Sequence, residues 1–211
     1  MRIIETKVYT FNELSDEAKE VARQWWRDCE NEYSSTFECV YEDAATIAET
    51  FGLDIRTRPV KLMNGKTRFD PCIYFSGFSS QGDGACFEGE YRYKAGALKA
   101  IKAEYPTAKE LHRIVKELQE LQRKNFYRVH CSMRHSGHYY HSGCMQVNCE
   151  NSYDSYLPVV GEDDFIQCMR DFADWIYNQL ENEYDWIMSD EQVDDSIVAN
   201  EYEFDEEGNI S

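Results

Sequence analysis

The histidines of one short segment are the side chains whose type and spacing best suit chemistry. His135, His138 and His141 lie in the sequence HSGHYYHSGC, and imidazole nitrogen is a frequent zinc ligand. Structural zinc needs about four nitrogen or sulfur ligands that converge on one point, and this spacing matches no established zinc motif. The pattern therefore favours a loop that presents Tyr139, Tyr140 and the histidines to a partner. We expect no cofactor, with zinc held by these histidines as the alternative.

A glycine-rich segment, FSGFSSQGDGACFEG at residues 75–89, is the second candidate. Its glycines could form a backbone nest for an anion, and oxygens of Asp83 and Glu88 could bind a cation. It lacks the Gly-Lys-Ser/Thr end of a P-loop and the ligand spacing of an EF-hand. The segment therefore predicts a hairpin loop in which the glycines adopt positive φ and Asp83 caps a turn. An anion- or metal-binding loop stays open as the alternative.

Covalent catalysis has few candidate residues. His130 with Cys131, and Ser136 with His138, are close in sequence, an arrangement that usually points the side chains apart. No Gly-x-Ser-x-Gly elbow is present. The eight cysteines contain no Cys-x-x-Cys pair, which favours small buried side chains over a zinc ribbon or a redox pair. We therefore expect a protein that is not an enzyme, although a Cys–His pair assembled by the fold stays open.

The strongest compositional signal is the charge of the C-terminal end. Residues 151–211 carry 18 acidic side chains and one basic side chain, whereas residues 51–150 carry 10 acidic and 16 basic. The whole chain has a net charge of −18. Such a field favours a basic partner and repels nucleic acid. We therefore expect a basic host or toxin protein as the partner and no direct contact with nucleic acid.

Carboxylates that helices hold in a fixed array can imitate DNA phosphates and occupy a basic site, and such binding weakens as salt rises. A solvated acidic face that only aids solubility is the alternative. The candidate partner-binding carboxylates lie on the predicted C-terminal helices and are Asp163, Asp171, Asp174, Glu181, Asp185, Asp190, Glu191, Asp194 and Asp195. Because the charge is placed on helices, we expect it to occupy defined positions.

Hydrophobic periodicity predicts about six helices and several hairpin strands. The predicted helices cover about 16–32, 37–51, 95–105, 107–125, 162–187 and 189–200. The predicted strands cover about 3–10, 53–62, 71–78, 86–93, 127–133 and 144–149. Hairpins without regular βαβ crossovers indicate an α+β fold with a mainly antiparallel sheet on which the helices pack. No linker divides the chain, so we expect one domain, residues 1–211, whose acidic C-terminal helical region spans about 160–204 and leads into a tail at 201–211.

Several classes of protein are excluded by composition. No apolar run approaches the roughly 18 residues that a membrane span needs, and the N-terminus lacks the apolar core of a signal peptide. Aromatic residues make up 14% of the chain, far more than a disordered acidic segment carries. We therefore expect a protein of the cytoplasm that does not contact the membrane.

Several segments resemble a family found in tailed bacteriophages and prophages. They are FNELSDEAK at residues 11–19, FSGFSSQGDGACFEG, ELHRI at 110–114, HSGHYYHSGC, and the stretch from SDEQ at 189–192 through NEYEF at 200–204. The resemblance extends over nearly the whole chain, and it brings no catalytic residues with it. The resemblance implies a phage accessory protein. Because small, strongly acidic phage proteins are often inhibitors of host defence, we expect this one to inhibit a defence nuclease or another nucleic-acid-binding effector of the host cell. Some members are labelled as antitoxins of a toxin–antitoxin stability system, so an antitoxin that neutralises a cognate toxin is the alternative.

Overall fold

The computed structural model describes residues 7–29, 37–154 and 156–211. Its helices are α1 (Asp16–Cys29), α2 (Glu38–Thr50), α3 (Ala97–Glu104), α4 (Lys109–Lys124), α5 (Glu162–Ile187) and α6 (Asp190–Ala199). Its strands are β1 (Tyr9–Thr10), β2 (Leu53–Ile55), β3 (Thr57–Lys61), β4 (Thr67–Pro71), β5 (Ile73–Phe75), β6 (Ala85–Phe87), β7 (Gly89–Arg92), β8 (Val129–His135), β9 (Met145–Asn151) and β10 (Glu203–Phe204). The six helices of these ranges and the antiparallel strand pairs confirm the predicted α+β class.

Two compact units divide the chain. The central unit contains residues 38–180, and the terminal unit contains residues 1–37 together with 181–211. The division falls within α5, after Leu180. The expectation of one domain stays a prediction. None of the described helices has the length and apolar character required to cross a membrane.

A four-stranded antiparallel sheet in the order β2-β7-β8-β9 forms the centre of the central unit. The predicted apolar stripe of α5 is confirmed over its first part, since Phe165, Met169, Phe172, Ile176 and Leu180 are all fully buried. The ring of Phe172 meets the rings of Phe51 and Phe87 edge-on, with centroids 5.1 and 5.6 Å apart. Edge-to-face contacts of this kind add stability beyond the apolar area they bury. The buried face of α4 completes this core with Leu111, Ile114, Val115, Leu118 and Leu121.

The long strands predicted for residues 53–93 are broken into short ones that change partner. β2 pairs with β7, whereas β3, which begins after Arg56, pairs with β4. A separate hairpin is formed by β5 and β6. Gly89 allows β7 to approach β2, because a Cβ atom there would lie 2.4 Å from the carbonyl oxygen of Asp54. Periodicity alone gives no sign of these breaks, since the alternation of side chains continues through them.

The terminal unit has its own small core. Ala22 and Trp26 of α1 pack with Val193 and Ile197 of α6 and with Phe204. Residues 201–211 do not form the predicted tail, because β10 pairs with β1 and Phe204 is fully buried. The Phe204 ring lies edge-on to Trp25 at 5.9 Å, which gives this segment an apolar anchor. The predicted strand 3–10 is seen only at Tyr9–Thr10, and its residues 3–6 lie outside the described residues.

Candidate functional site

The two loops with unusual sequences pack against each other in the central unit. Gly82 lies under the ring of Tyr139, where a Cβ atom would be 2.7 Å from ring atom Cδ1. Gly84 lies against His141, where a Cβ atom would be 2.7 Å from Cβ and 2.8 Å from Cα of the histidine. A side chain at Gly84 would meet the backbone of the histidine loop, and one at Gly82 would displace the ring of Tyr139. The glycines of the first loop therefore serve close packing with the histidine loop.

An aromatic cluster lies beside these contacts. The rings of Tyr74 and Tyr140 are stacked with centroids 5.6 Å apart, and His135 lies 5.2 Å from the Tyr74 ring and 5.0 Å from the Tyr140 ring. The guanidinium of Arg58 lies 5.9 Å from the Tyr74 ring. Tyr140 is thus largely a packing residue, while Tyr139 keeps 60% of its surface exposed.

The predicted metal ligands do not converge. Within the described residues there is no group of three or more His, Cys, Asp or Glu side chains that could hold a metal ion. Nε2 of His135 is 3.0 Å from the carbonyl oxygen of Tyr139, and His138 is exposed. Nδ1 of His141 accepts a hydrogen bond from the backbone N–H of Gly143 at 3.1 Å. Each histidine therefore has a different environment.

Asp83 behaves as a turn cap. One of its oxygens, Oδ2, accepts hydrogen bonds from the backbone N–H groups of Ser79 (2.9 Å) and Ser80 (2.6 Å). These bonds, that from Ser80 above all, hold the pKa of Asp83 below its usual value. Glu88 is engaged by Arg56 at 3.2 Å and by the backbone N–H of His135 at 3.4 Å. Both carboxylates therefore hold the loops in shape.

A Cys–His pair is assembled by the fold, as Cys144 with His141. The sulfur of Cys144 lies 3.2 Å from Nε2 of His141. Because Nδ1 of this ring already accepts the Gly143 N–H, the neutral ring carries its proton on Nε2 and donates it to the sulfur. A general base would need a free electron pair at Nε2 to take the thiol proton. The pair is therefore arranged to brace the turn at Ser142–Cys144, and the short spacing within HSGC is the signal that could have found it.

The pairs singled out from sequence are not assembled for nucleophilic attack. Cys131 is fully buried, whereas its neighbour His130 on β8 is half-buried. A hydrogen bond with Cys149, together with burial, raises the pKa of the Cys131 thiol. Burial raises the pKa of Cys86 to about 12. Ser136 accepts a hydrogen bond from the side chain of Gln146 at 2.9 Å. The raised pKa values keep the thiols of Cys86 and Cys131 protonated at neutral pH. Five of the eight cysteines are buried, as predicted for small core residues, whereas Cys29 and Cys39 are exposed.

Three of the nine predicted partner-binding carboxylates are neutralised within the chain. Asp194 binds Arg23 of α1 through two hydrogen bonds of 2.6 and 2.7 Å. Asp190 binds Arg27 at 2.5 Å, and Asp171 binds Arg113 of α4. The sequence does not predict Arg23, Arg27 and Arg113 as their partners, because no local pattern pairs residues so far apart. These three carboxylates join helices.

The other six carboxylates face solvent. They are Asp163, Asp174, Glu181, Asp185, Glu191 and Asp195. None of the six forms an ion pair with a cation among the described residues. Asp163 lies in the first turn of α5, where the helix dipole favours a negative charge. Four of them, Glu181, Asp185, Glu191 and Asp195, belong to the terminal unit.

Acidic charge is concentrated in the terminal unit. Residues 1–37 and 181–211 carry 20 acidic and 5 basic side chains, a net charge of −15. Residues 38–180 carry 20 acidic and 17 basic side chains, a net charge of −3. The boundary between the compact units is therefore also a boundary in charge.

The structure defines an α+β protein with a four-stranded antiparallel sheet, two interlocked hairpin loops and an acidic terminal unit. A family model described as a domain of unknown function (DUF8835) matches residues 36–190, and the chain belongs to that family. The matched residues include both loops and all of α5, whereas α1 and nearly all of α6 lie outside them. No curated protein and no solved structure matches the chain.

Proposed function

We propose that this protein is a non-enzymatic phage accessory protein whose terminal unit binds a basic, nucleic-acid-binding host protein. The observation that carries the proposal is the net charge of −15 on the terminal unit against −3 on the central unit. A strongly negative surface attracts basic proteins and occupies the sites at which they hold phosphates. The mechanism is electrostatic occlusion in the manner of a DNA mimic.

Fixed positions distinguish this surface from a flexible acidic segment. The ion pairs of Arg23 with Asp194 and of Arg27 with Asp190 hold α1 against α6, and Arg27 also donates to the carbonyl oxygen of Met188 at 3.2 Å. Glu191 and Asp195 therefore project from a helix that is anchored on its other side. Charges that do not need to be ordered on binding lose less entropy when a partner docks.

The spacing of the exposed carboxylates supports the same conclusion. Glu181 and Asp185 are four residues apart on α5, and so are Glu191 and Asp195 on α6. Like charges at this spacing lie on one helix face and destabilise the helix by a few tenths of a kcal/mol. Solubility alone does not require such pairs, because isolated charges of mixed sign serve it as well. A basic partner would relieve this repulsion.

Affinity capture at two salt concentrations tests the proposal. The whole chain is immobilised, a lysate of the host bacterium is applied at low and at high salt, and the bound proteins are identified by mass spectrometry. We expect a basic nucleic-acid-binding protein that is lost at high salt, since electrostatic association weakens with ionic strength. The purified partner should also be displaced by duplex DNA, as competition for one site requires.

A matched pair of variants assigns the binding to the terminal unit. Glu181→Gln, Asp185→Asn, Glu191→Gln and Asp195→Asn together remove four exposed charges from that unit. Glu42→Gln, Asp43→Asn, Asp54→Asn and Glu104→Gln remove four exposed charges from the central unit. We expect the first set to weaken capture of the partner and the second set to leave it intact. Equal loss with both sets, or capture that persists at high salt, would show that the proposed interaction is wrong.

A further inference from the structure

Two consecutive aromatic residues in the left-handed conformation follow the C-cap of helix α4. Phe126 has φ 55° and Tyr127 has φ 60°. The backbone N–H of Tyr127 donates to the carbonyl oxygen of Gln122 at 2.7 Å, and that of Phe126 donates to Arg123 at 3.3 Å, which is the bonding pattern of a Schellman C-cap. The residue at Phe126 in this motif is usually glycine, because bulky side chains are strained there. Aromatic residues therefore occupy backbone positions at which they are strained.

Two buried amides hold this turn in place. Gln122 donates to the carbonyl oxygen of Val129 at 2.7 Å and accepts from its N–H at 3.3 Å. Asn125 donates to the carbonyl oxygen of Val160 at 2.9 Å and accepts from its N–H at 2.9 Å. Among the described residues, Gln122 and Asn125 are the polar side chains that are buried. Strained backbone persists where its surroundings fix it in this way, and it is most frequent at functional sites.

The strained turn exposes its rings to solvent. Phe126 is 79% exposed and Tyr127 is 47% exposed. Tyr93 packs on Tyr127 with ring centroids 4.4 Å apart. Tyr153 is 76% exposed and lies 5.1 Å from the guanidinium of Arg128. We call Tyr93, Phe126, Tyr127 and Tyr153 the ring platform.

Cations flank the rings on both sides in the sequence RKNFYR at residues 123–128. The side chains of Arg123, Lys124 and Arg128 are exposed. The acidic group closest in sequence is Glu120 of α4, whose carboxylate lies 3.8 Å from the ammonium of Lys116. On the other side, Asp154 accepts a hydrogen bond from the backbone N–H of Tyr156 at 3.0 Å. The segment itself carries no carboxylate, so the platform has a positive rim although the whole chain is acidic.

We propose that the ring platform binds single-stranded nucleic acid, with bases stacked on the rings and phosphates paired with Arg123, Lys124 and Arg128. Exposed aromatic rings beside cations are the means by which proteins hold single strands without reading their sequence. Arg128, which already lies over the Tyr153 ring, can pair with a phosphate at the edge of that stack. A purely apolar protein partner would offer no anionic groups to pair with the cationic rim.

This proposal reverses the expectation that the protein makes no direct contact with nucleic acid. That expectation followed from the net charge of the chain, most of which belongs to the terminal unit. The platform lies in the central unit, within the residues that the family model matches. It is independent of the acidic surface, and either proposal can fail without the other.

Fluorescence anisotropy of a labelled oligo(dT) of about twelve nucleotides, a length within the site sizes of single-strand binders, tests the platform. The whole chain is titrated against this strand, against the same length of duplex, and against a strand of abasic sites. We expect the oligo(dT) to bind more tightly than both other probes. The abasic strand keeps the phosphates and lacks the bases, so it isolates the contribution of stacking.

Variants separate the rings from the charges. Phe126→Gly with Tyr127→Gly removes two rings and relieves the strained backbone, so the variant is expected to fold. Its affinity for oligo(dT) should fall about tenfold or more for each ring lost. Arg123→Glu with Lys124→Glu should also abolish binding, whereas Lys61→Glu with Lys66→Glu, the same change of charge on the β3–β4 hairpin, should preserve most of it.

Several outcomes would overturn the proposal. They are an oligo(dT) that does not bind at low salt, an abasic strand or a duplex that binds as well, and a Phe126→Gly, Tyr127→Gly variant with unchanged affinity. Binding of a proline-rich peptide or of anionic lipid vesicles in place of the oligonucleotide would assign the platform to another kind of partner and would overturn it equally.

Discussion

Arg23 of α1 binds Asp194 of α6 through two nearly parallel hydrogen bonds, Nε to Oδ1 at 2.6 Å and Nη2 to Oδ2 at 2.7 Å. The side chains are 19% and 31% exposed, so solvent screens the pair only in part. A bidentate arginine–carboxylate contact fixes the relative orientation of the two groups as well as their distance. The two helices that carry much of the acidic charge of the terminal unit are therefore joined by a pair that itself contributes no net charge.

Replacing Arg23 should destabilise the terminal unit. Arg23→Met leaves Asp194 partly buried without its cation, and we expect the free energy of unfolding to fall by about 1–2 kcal/mol. Urea denaturation followed by tryptophan fluorescence measures this change, because Trp25 and Trp26 lie in α1. Asp194→Asn in the Arg23→Met background should cost little more. Additive losses in the double variant would argue that the two side chains act separately.

Replacing Phe126 with glycine should stabilise the protein. Glycine adopts positive φ without strain, and the exposed ring of Phe126 contributes little burial. We expect the free energy of unfolding to rise by about 0.5–1 kcal/mol in Phe126→Gly, measured by thermal unfolding. Phe126→Ala is the control, since it removes the ring and keeps the strained backbone. A glycine variant no more stable than the alanine variant would contradict the presence of strain at this position.

The long amphipathic elements could be predicted from the sequence, and the contacts between distant residues could not. The helix predicted over 162–187 is α5 within those bounds, because its apolar residues repeat at helical spacing over many turns. The sequence predicts a tail at Phe204, since β10 has only two residues, which are too few to show a period. The pairing of Arg23 with Asp194 joins residues 171 positions apart and leaves no local signal.

The same contrast between local sequence pattern and distant contact applies to the candidate sites. The unusual composition of the two loops was visible in the sequence, but their contact through Gly82 and Gly84 depends on the packing of two hairpins. Phe126 and Tyr127 gave no sign of positive φ, because the residue that marks such a helix end is glycine. The local signal in the sequence is the pair of aromatic residues flanked by basic residues in RKNFYR.

Separating the interlocked loops should destabilise the central unit. A Cβ atom at Gly84 would lie 2.7 Å from Cβ of His141 and 3.1 Å from the carbonyl oxygen of Tyr140. Because backbone has to move to admit a methyl group, we expect Gly84→Ala to lower the free energy of unfolding by about 1–3 kcal/mol. Gly137→Ala is the matched control in the same loop region, since no atom lies within 4 Å of its added Cβ. Equal losses in the two variants would show that backbone conformation, and not contact, decides the cost.

Asp83 should make the loops sensitive to acid. Hydrogen bonds from the backbone of Ser80 and Ser79 and from the side chain of Ser76 lower its pKa in the folded state. A depressed pKa means that the carboxylate stabilises the fold above its unfolded pKa, near 3.9, and that this contribution is lost as pH falls through the folded pKa.

Asp83→Asn lacks the titrating group, so wild type should be the more stable protein at neutral pH. The gap in stability between the two proteins should close as the solution becomes more acidic than about pH 4. Urea midpoints of both proteins across this range measure the gap. A gap that stays constant or widens with acid would mean that Asp83 does not act through its charge.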